Sequence, residues 1–433
     1  MRILMLAQFY PPMIGGEERH VRNLSIELAA RGHEVAVATL GQEGLPAFEC
    51  DQGVRIYRIP ASMQRISGLY MEKGRRHAPP FPDPEALLAL RRVILDEHPD
   101  IVHAHNWLVH SFTPLKAWSK AKLVVTLHDG SLVCAKQELV HHGELCSGPG
   151  LAKCAACATD NYGIAKGVPI MLATRIGARV EQRTVDMFLP VSRAIAEANQ
   201  LSRRGVPYRV IPNFIPDDVA ALATDTDPLL AQLPNTNYLL FVGNVGHNKG
   251  VKVLLRAYAE MGCQVPLVLI GQPEAGFSFN LPPNVWLLQS WPHSAVMSAW
   301  KRCTIALIPS ICPDACPTVA MEAMAMGRPI IASDIGGLPD IVTNGETGML
   351  IPPGNWQVLQ ESIQHLLDDP VGRERMGTLA KQRVIEFQAQ TVIPRIEQIY
   401  QEVLQPSVTS TRITRDNPRK PEETLATSST TLI

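Results

Sequence analysis

Two acids lie within the stretch Pro309 to Ala325, which reads PSICPDACPTVAMEAMA, and their setting points to binding chemistry. The preceding run Thr304 to Ile308 has the length and β-branched content of a buried parallel strand. Pro, Ser and Cys residues cannot continue it. Pro317 falls where a first-turn proline is tolerated, and Ala320 to Ala325 are good helix formers. The spacing predicts strand, loop, helix, with Asp314 in the loop and Glu322 about a turn and a half into the helix. Free amides at such a helix start, from Thr318 and Val319 onward, suit an anion such as a pyrophosphate. A carboxylate on either side can hold hydroxyls flanking it. On spacing alone, the same pattern also fits an ordinary βα turn with two solvated acids.

Other residues offer related chemistry. Gly15 and Gly16 stand between a first strand and a first helix, where glycines let backbone amides approach a phosphate or simply make a turn. Lys249 follows the apolar run Tyr238 to Val242 at a helix start, a place where a lysine is ordinarily solvated. His128 and Asp129 end the run Leu123 to Leu127, and His103 and His105 end its neighbour. The first pair points into a cleft or merely caps; the second is read mainly as structural or acceptor-side. Four cysteines stand apart: Cys134, Cys146, and Cys154 with Cys157 at metal-knuckle spacing. They fit a closed structural zinc site, free thiols or a redox disulfide. The weakly periodic segment from His128 to Cys157 needs some staple. Cys312 and Cys316, flanking Asp314, read as packing.

These residues need elements to position them. The 433 residues are 46% apolar and 19% charged, the composition of an ordinary globular chain with room for two or three domains. A net charge of −1 gives no field favouring nucleic acid or an anionic membrane. No run has the length of a membrane span, and Ile3 to Ala7 is too short for a signal-peptide core. With nine cysteines in no regular framework, a cytoplasmic home is expected, peripheral membrane contact being compatible with it.

Strand and helix patterns alternate from Arg2 to Gln200, predicting a parallel sheet covered on both faces. The expected strands include Arg2 to Ala7, Glu34 to Thr39, Val54 to Ile59, Ile101 to His105, Leu123 to Leu127 and Met187 to Val191. Helices are expected at Glu17 to Arg31, Glu85 to Glu97, Val109 to Lys120, Ile170 to Gln182 and Arg193 to Gln200. A basic cluster (Lys73, Arg75, Arg76, His77) interrupts the rhythm. The pattern restarts with a short strand Arg209 to Ile211 and a Pro- and Asp-rich linker, then strands at Tyr238, Leu267, Val285, Thr304 and Ile330. The expectation is α/β, with two doubly wound, Rossmann-like domains at residues 1–205 and 206–390, a last helix at 391–405 and a disordered tail at 406–433.

The chain resembles the retaining glycosyltransferases of the GT-B fold, the large family that includes sucrose-phosphate synthases and bacterial mannosyltransferases. Pro309-Ser310, Asp314, Glu322 and Ala323-Met324-Ala325-x-Gly327-x-Pro329-Ile330 resemble its donor-site signature. Further matches are Phe9-Tyr10-Pro11-Pro12 with Gly15-Gly16-Glu17, Arg31-Gly32-His33-Glu34-Val35, Val191-Ser192, Ile211-Pro212-Asn213, Lys249-Gly250, Gly336-Gly337-Leu338-Pro339 and Asn344-Gly345-x-Thr347-Gly348. Together they cover residues 1 to 400 or so. The resemblance implies two domains facing each other across a cleft, and metal-independent transfer from a nucleotide-diphosphate sugar to an acceptor hydroxyl.

It also implies roles. Glu322 would hold the ribose, Asp314 the sugar, Lys249 the leaving pyrophosphate and His128 the reacting sugar, with Gly15, Gly16, Pro317, Thr318 and Val319 around the donor. Asp340 sits where the family often has Glu and reads as a helix-starting acid. The acceptor, a saccharide, lipid-linked or small molecule, would bind on the first domain around the loops after Gly16, Arg65 to His77 and His128. Two positions depart from the pattern: Asp314 stands where Glu is usual, and Asn244 follows Gly243 where Arg is usual. His247 or Arg328 would have to replace that cation. These departures keep open a rival reading, a sugar-nucleotide-binding protein with little turnover. A dinucleotide oxidoreductase fits two such sheets but lacks Gly-x-Gly-x-x-Gly after the first strand.

Overall fold

The computed structural model describes residues 1–405 except Ile14, residues 67–74, residues 142–143 and Cys263. Lys73 of the basic cluster and the tail 406–433 therefore lie outside the described residues.

The first sheet has seven strands: β1 (Arg2–Ala7), β2 (Glu34–Leu40), β3 (Phe48–Asp51), β4 (Val54–Ile59), β5 (Ile101–Ala104), β6 (Lys122–Leu127) and β7 (Met187–Pro190). Their order is β3-β4-β2-β1-β5-β6-β7, parallel except for β3 at the edge. The second sheet holds β8 (Leu239–Val242), β9 (Leu267–Ile270), β10 (Val285–Leu288), β11 (Ile305–Ile308), β12 (Ile330–Ser333) and β13 (Gly348–Ile351). Its order is β10-β9-β8-β11-β12-β13, all parallel. Both sheets thus reverse direction of winding beside their first strand, between β1 and β5 and between β8 and β11. At such a switch point the flanking loops part and leave a crevice at the carboxyl ends of the strands.

Strand composition follows from burial on both faces. In β8, Leu239 and Phe241 face one core while Leu240 faces the other. The first sheet behaves likewise: Leu4 and Leu6 join one cluster, Ile3 and Met5 the other. The latter face is covered by the helix α1 (Gly16–Ala30) and by the final helix among the described residues, Ala389–Leu404. That final helix sends Val392, Ile393, Ile396, Ile399 and Tyr400, all buried, into the first domain's core. The chain therefore crosses between domains twice, and the crossings are bonded to each other: the Ile215 amide donates to Phe387 O at 3.0 Å and the Ala389 amide to Ile215 O at 3.1 Å.

Several local expectations are corrected. The helix expected over Val109 to Lys120 is three short turns, Val109–Phe112, Thr113–Leu115 and Lys116–Ser119, because Pro114 lacks an amide to continue the ladder. Arg209 to Ile211 forms no separate strand. It runs extended along β7, its Arg209 and Ile211 amides donating to Phe188 O and Pro190 O, so it extends the first sheet's edge. The helix expected at Ile170 runs Ile164–Thr184 and accommodates Pro169 in its second turn. Among the described residues no helix is long and apolar enough to cross a membrane.

Candidate active site

Side chains that the sequence singled out lie at the carboxyl ends of strands flanking both switch points. Lys249 lies in the turn after β8, just before the helix Val251–Met261, and not inside a helix start; Gly250 is that helix's N-cap. Gly250 has a φ of 70°, and a Cβ there would collide with Pro309 O. Glycine at this position therefore lets the Lys249 turn press against the loop after β11. Across that contact Lys249 Nζ pairs with Asp314 Oδ1, and Ser310 Oγ donates to Asp314 Oδ2 at 2.6 Å. Each carboxylate oxygen keeps one lone pair for a further donor.

The loop carrying Asp314 is fixed from both sides. The Ile311 and Cys312 amides donate to Asn248 O at 3.0 and 3.3 Å, and the Gly337 amide donates to Asp314 O at 2.7 Å. Gly336, at a φ of 62°, passes so close to Asp314 that a Cβ would strike its carbonyl. Pro317 then caps the helix Thr318–Ala325 as its last non-helical residue, leaving the Thr318 and Val319 amides at the helix start. Glu322 lies one turn in, buried among Ala320, Met321, Ala323 and Met324. A buried carboxylate needs a partner, and Glu322 Oε1 meets His293 Nε2 at 2.9 Å. His293 begins the helix His293–Arg302, at the end of the loop after β10.

The first domain contributes a second set. A Cβ on Gly15 would overlap the Glu18 carboxylate, whereas Gly16 has open space around it. Glu18 pairs with Arg75 at 3.5 Å. Glu17 accepts from Asn106 Nδ2; burial, then the charges of Asp129 and Glu18, hold its carboxyl well above the usual range. His105 Nδ1 lies 3.1 Å from His128 Nε2, and the His20 ring packs edge-on against both. Burial pushes all three imidazoles down, His20 to about 4, and keeps them neutral. Beside them burial pushes Asp129 up to about 6. His103 points away from the cleft, holding Tyr400 OH at 2.6 Å and Thr126 Oγ1 at 2.7 Å. One nitrogen each of His20, His105, His128 lies within 4.8 Å of the others, the one such trio of metal-ligating groups among the described residues.

The two sets are held across the domains by Asp340, which accepts from the Arg193 amide at 2.7 Å and from its Nε at 2.5 Å. Asn213 Nδ2 donates to Cys316 O at 3.1 Å. Arg328 does not replace the missing cation. Its guanidinium donates to the carbonyls of Met326, Cys303 and Lys301, behind the helix and away from the loop ends. Sequence reasoning missed the partners: Ser310, His293, Asn106 and His20. Ser310 belongs to the Pro309-Ser310 pair of the donor-site motif; the others are ordinary polar residues whose relevance is spatial.

The four cysteines Cys134, Cys146, Cys154 and Cys157 are half-buried free thiols that line a single cavity, in the segment that follows His128 and Asp129.

Comparison with known proteins agrees with this architecture. A family model described as Glycosyltransferase Family 4 matches residues 14–219, and one described as Glycosyl transferases group 1 matches residues 230–383. A glycogen synthase of Mycobacterium tuberculosis is 28% identical over 423 residues, spanning 92% of this chain and 94% of its own. A D-inositol 3-phosphate glycosyltransferase of Pseudarthrobacter chlorophenolicus is 26% identical over 412 residues, spanning 88% and 90%. Among solved structures, sucrose-phosphate synthase from Thermosynechococcus elongatus superposes with a TM-score of 0.70 at 21% identity, over 93% of this chain and 98% of that one. Anabaena HepE in complex with UDP gives 0.66 at 18% identity, over 93% and 100%. At those identities the likeness is one of fold.

Proposed function

We propose that this chain, a GT-B glycosyltransferase of group 1 that transfers sugar from a nucleotide sugar, does so with retention of configuration and without a catalytic metal ion. The observation that carries the reading is the contact of Lys249 with Asp314 at the switch point of the second sheet, beside the open start of the helix Thr318–Ala325.

In this reading the bond between the anomeric carbon and the β-phosphate oxygen breaks, and charge grows on the departing diphosphate. Lys249 and the Thr318 and Val319 amides meet that charge, which is the task a metal would otherwise perform. Asp314, held by Ser310 and Lys249, receives hydroxyls of the sugar, and Glu322, held by His293, receives those of the ribose. Gly15 and Gly16 face the donor from the first domain, and His128 stands by the sugar. The acceptor hydroxyl attacks on the face the diphosphate leaves, and its proton passes to the departing phosphate oxygen. Donor class is supported by the structural neighbours: HepE is described with UDP-glucose, and a trehalose-6-phosphate synthase with UDP-2-fluoro glucose. Retention is named for trehalose-6-phosphate synthase in another. A cytoplasmic site of action, with the acceptor on the first domain, belongs to the same proposal.

The test combines a thermal-shift screen of UDP, GDP, ADP and dTDP sugars with NMR of the product. A donor at a hundred times its Kd should stabilise the fold by about 2.7 kcal/mol. The expected product keeps the donor's anomeric configuration, and brief addition of EDTA, Mg²⁺ or Mn²⁺ leaves turnover unchanged. An inverted product, or turnover that requires an added divalent ion, refutes the proposal.

A further inference from the structure

The segment between β6 and the long helix Ile164–Thr184 is built unlike the rest of the molecule. From Gly130 to Gly150 the described residues form only turns and irregular backbone with one tiny hairpin, Val140–His141 with Glu144–Leu145. Its local apolar cluster is small: Ala135 and Ala158 are buried against Met171 of the long helix. Leu145 and Leu151 are left 57% and 65% exposed, so apolar burial does not order it.

Thiols occupy the place where a core would be. A turn closed by the Gln137 amide on Cys134 O (3.1 Å) presents Cys134. The Cys146 amide donates to Leu139 O at 2.8 Å, which sets Cys146 at the exit of the hairpin. Cys154 and Cys157 lie one turn apart on the helix Leu151–Tyr162, near its N-terminus. All four line one cavity of about 30 Å³. The Gly150 amide donates to Cys154 Sγ at 3.3 Å, which orients that sulfur at the helix start.

We propose that Cys134, Cys146, Cys154 and Cys157 bind one zinc ion in a closed, structural four-thiolate site, and that this ion fixes residues 130–162. Zinc prefers four sulfurs at about 2.3 Å, which puts them about 3.8 Å from one another. Among the described residues no three of these sulfurs come within 4.8 Å of each other, so binding draws the Cys134 turn and the Cys146 arm onto the helix. The helix itself is a firm base. Gly167 of the long helix packs so closely on Ala158 that a Cβ would strike its backbone, and Tyr162 OH holds Ala135 O at 2.9 Å.

This proposal is independent of the transferase chemistry, and its test does not read activity. Full-length protein purified without added zinc should carry close to one equivalent by mass spectrometry of metals. Cys154→Ser with Cys157→Ser should lose it, while Cys50→Ser keeps it. Exchange for Co²⁺ should give thiolate-to-cobalt absorption in the near ultraviolet and the visible bands of tetrahedral cobalt, and removing the ion should open residues 130–162 to protease. If the double variant does not fold, the metal content and cobalt spectrum of the unaltered protein decide. Metal-free protein with a protease-resistant segment overturns the proposal, as does iron with labile sulfide, a disulfide among the four, or zinc that survives the double change. The last result would place the ion elsewhere, such as at His20, His105 and His128.

Discussion

At the scale of single residues, Asp314 is the position where function and sequence departure coincide. Its carboxylate stops about 1.5 Å short of a glutamate's from the same backbone, yet it reaches both Lys249 and Ser310 because the loop is tied inward by Asn248 and Gly337. Asp314→Glu should therefore crowd the sugar and lower donor turnover, as Asp314→Ala should by removing the group; a gain with Glu would show the loop is not built around Asp. Glu322→Gln keeps shape but gives up the charge that accepts hydroxyls, and should weaken donor binding by about 1.5–3 kcal/mol, roughly ten- to hundredfold in Kd. Lys249→Ala should lower kcat more than it raises Kd, because its partner charge grows only in the transition state. Titration calorimetry and steady-state kinetics separate these cases. Asp314, Glu322 and Lys249 were legible because each sits in a short, typed pattern at a strand or helix end. His293, Asn106 and His20 were not, since they are linked to Glu322, Glu17 and His128 only through the fold.

Among elements, the buried strands were the legible part. β8, β9, β11 and β12 are continuous apolar runs because both their faces are covered. The edge strand β3 was not read, being half exposed and alternating without an apolar run. The helix Leu151–Tyr162 escaped for a related reason: only Ala158 of its residues is buried, so no apolar stripe marks it. The final helix is joined to β5 and β6 by a polar link as well as by packing, through His103 between Tyr400 and Thr126. Tyr400→Phe leaves a buried ring nitrogen without its partner and should cost about 1–3 kcal/mol in urea unfolding. Acid should act on the same region. Burial holds His103 at about 3 and His20 at about 4, against an unfolded value near 6.5. Above 6.5 both states are neutral; as pH falls from there towards 4 the unfolded chain takes up protons that the native state refuses, so stability is lost. The melting temperature should drop between pH 7 and pH 5, and less steeply in His20→Gln if that variant folds.

At the scale of the whole molecule, the two domains are not two stretches of chain. Val392, Ile393, Ile396, Ile399 and Tyr400 are fully buried in the first domain, and at about 1.5–3 kcal/mol each their contribution reaches about 7–15 kcal/mol. That is an upper bound, but it matches the whole stability of a typical domain. A chain ending at residue 388 should therefore fail to fold cooperatively by circular dichroism, and co-expression of a 389–405 segment should restore soluble protein. The exposed Arg193 end of the ion pair with Asp340 makes that link weak by contrast. Synthesis gives the shared core a further meaning. At about 5–20 residues per second, some 10 to 40 s separate the emergence of the first domain's last strand from that of the final helix. Throughout that interval the nascent half carries an apolar face over Ile3, Met5 and Val37 that its own α1 covers only in part. Yield in a living cell is then governed by whatever shelters that face while the ribosome finishes.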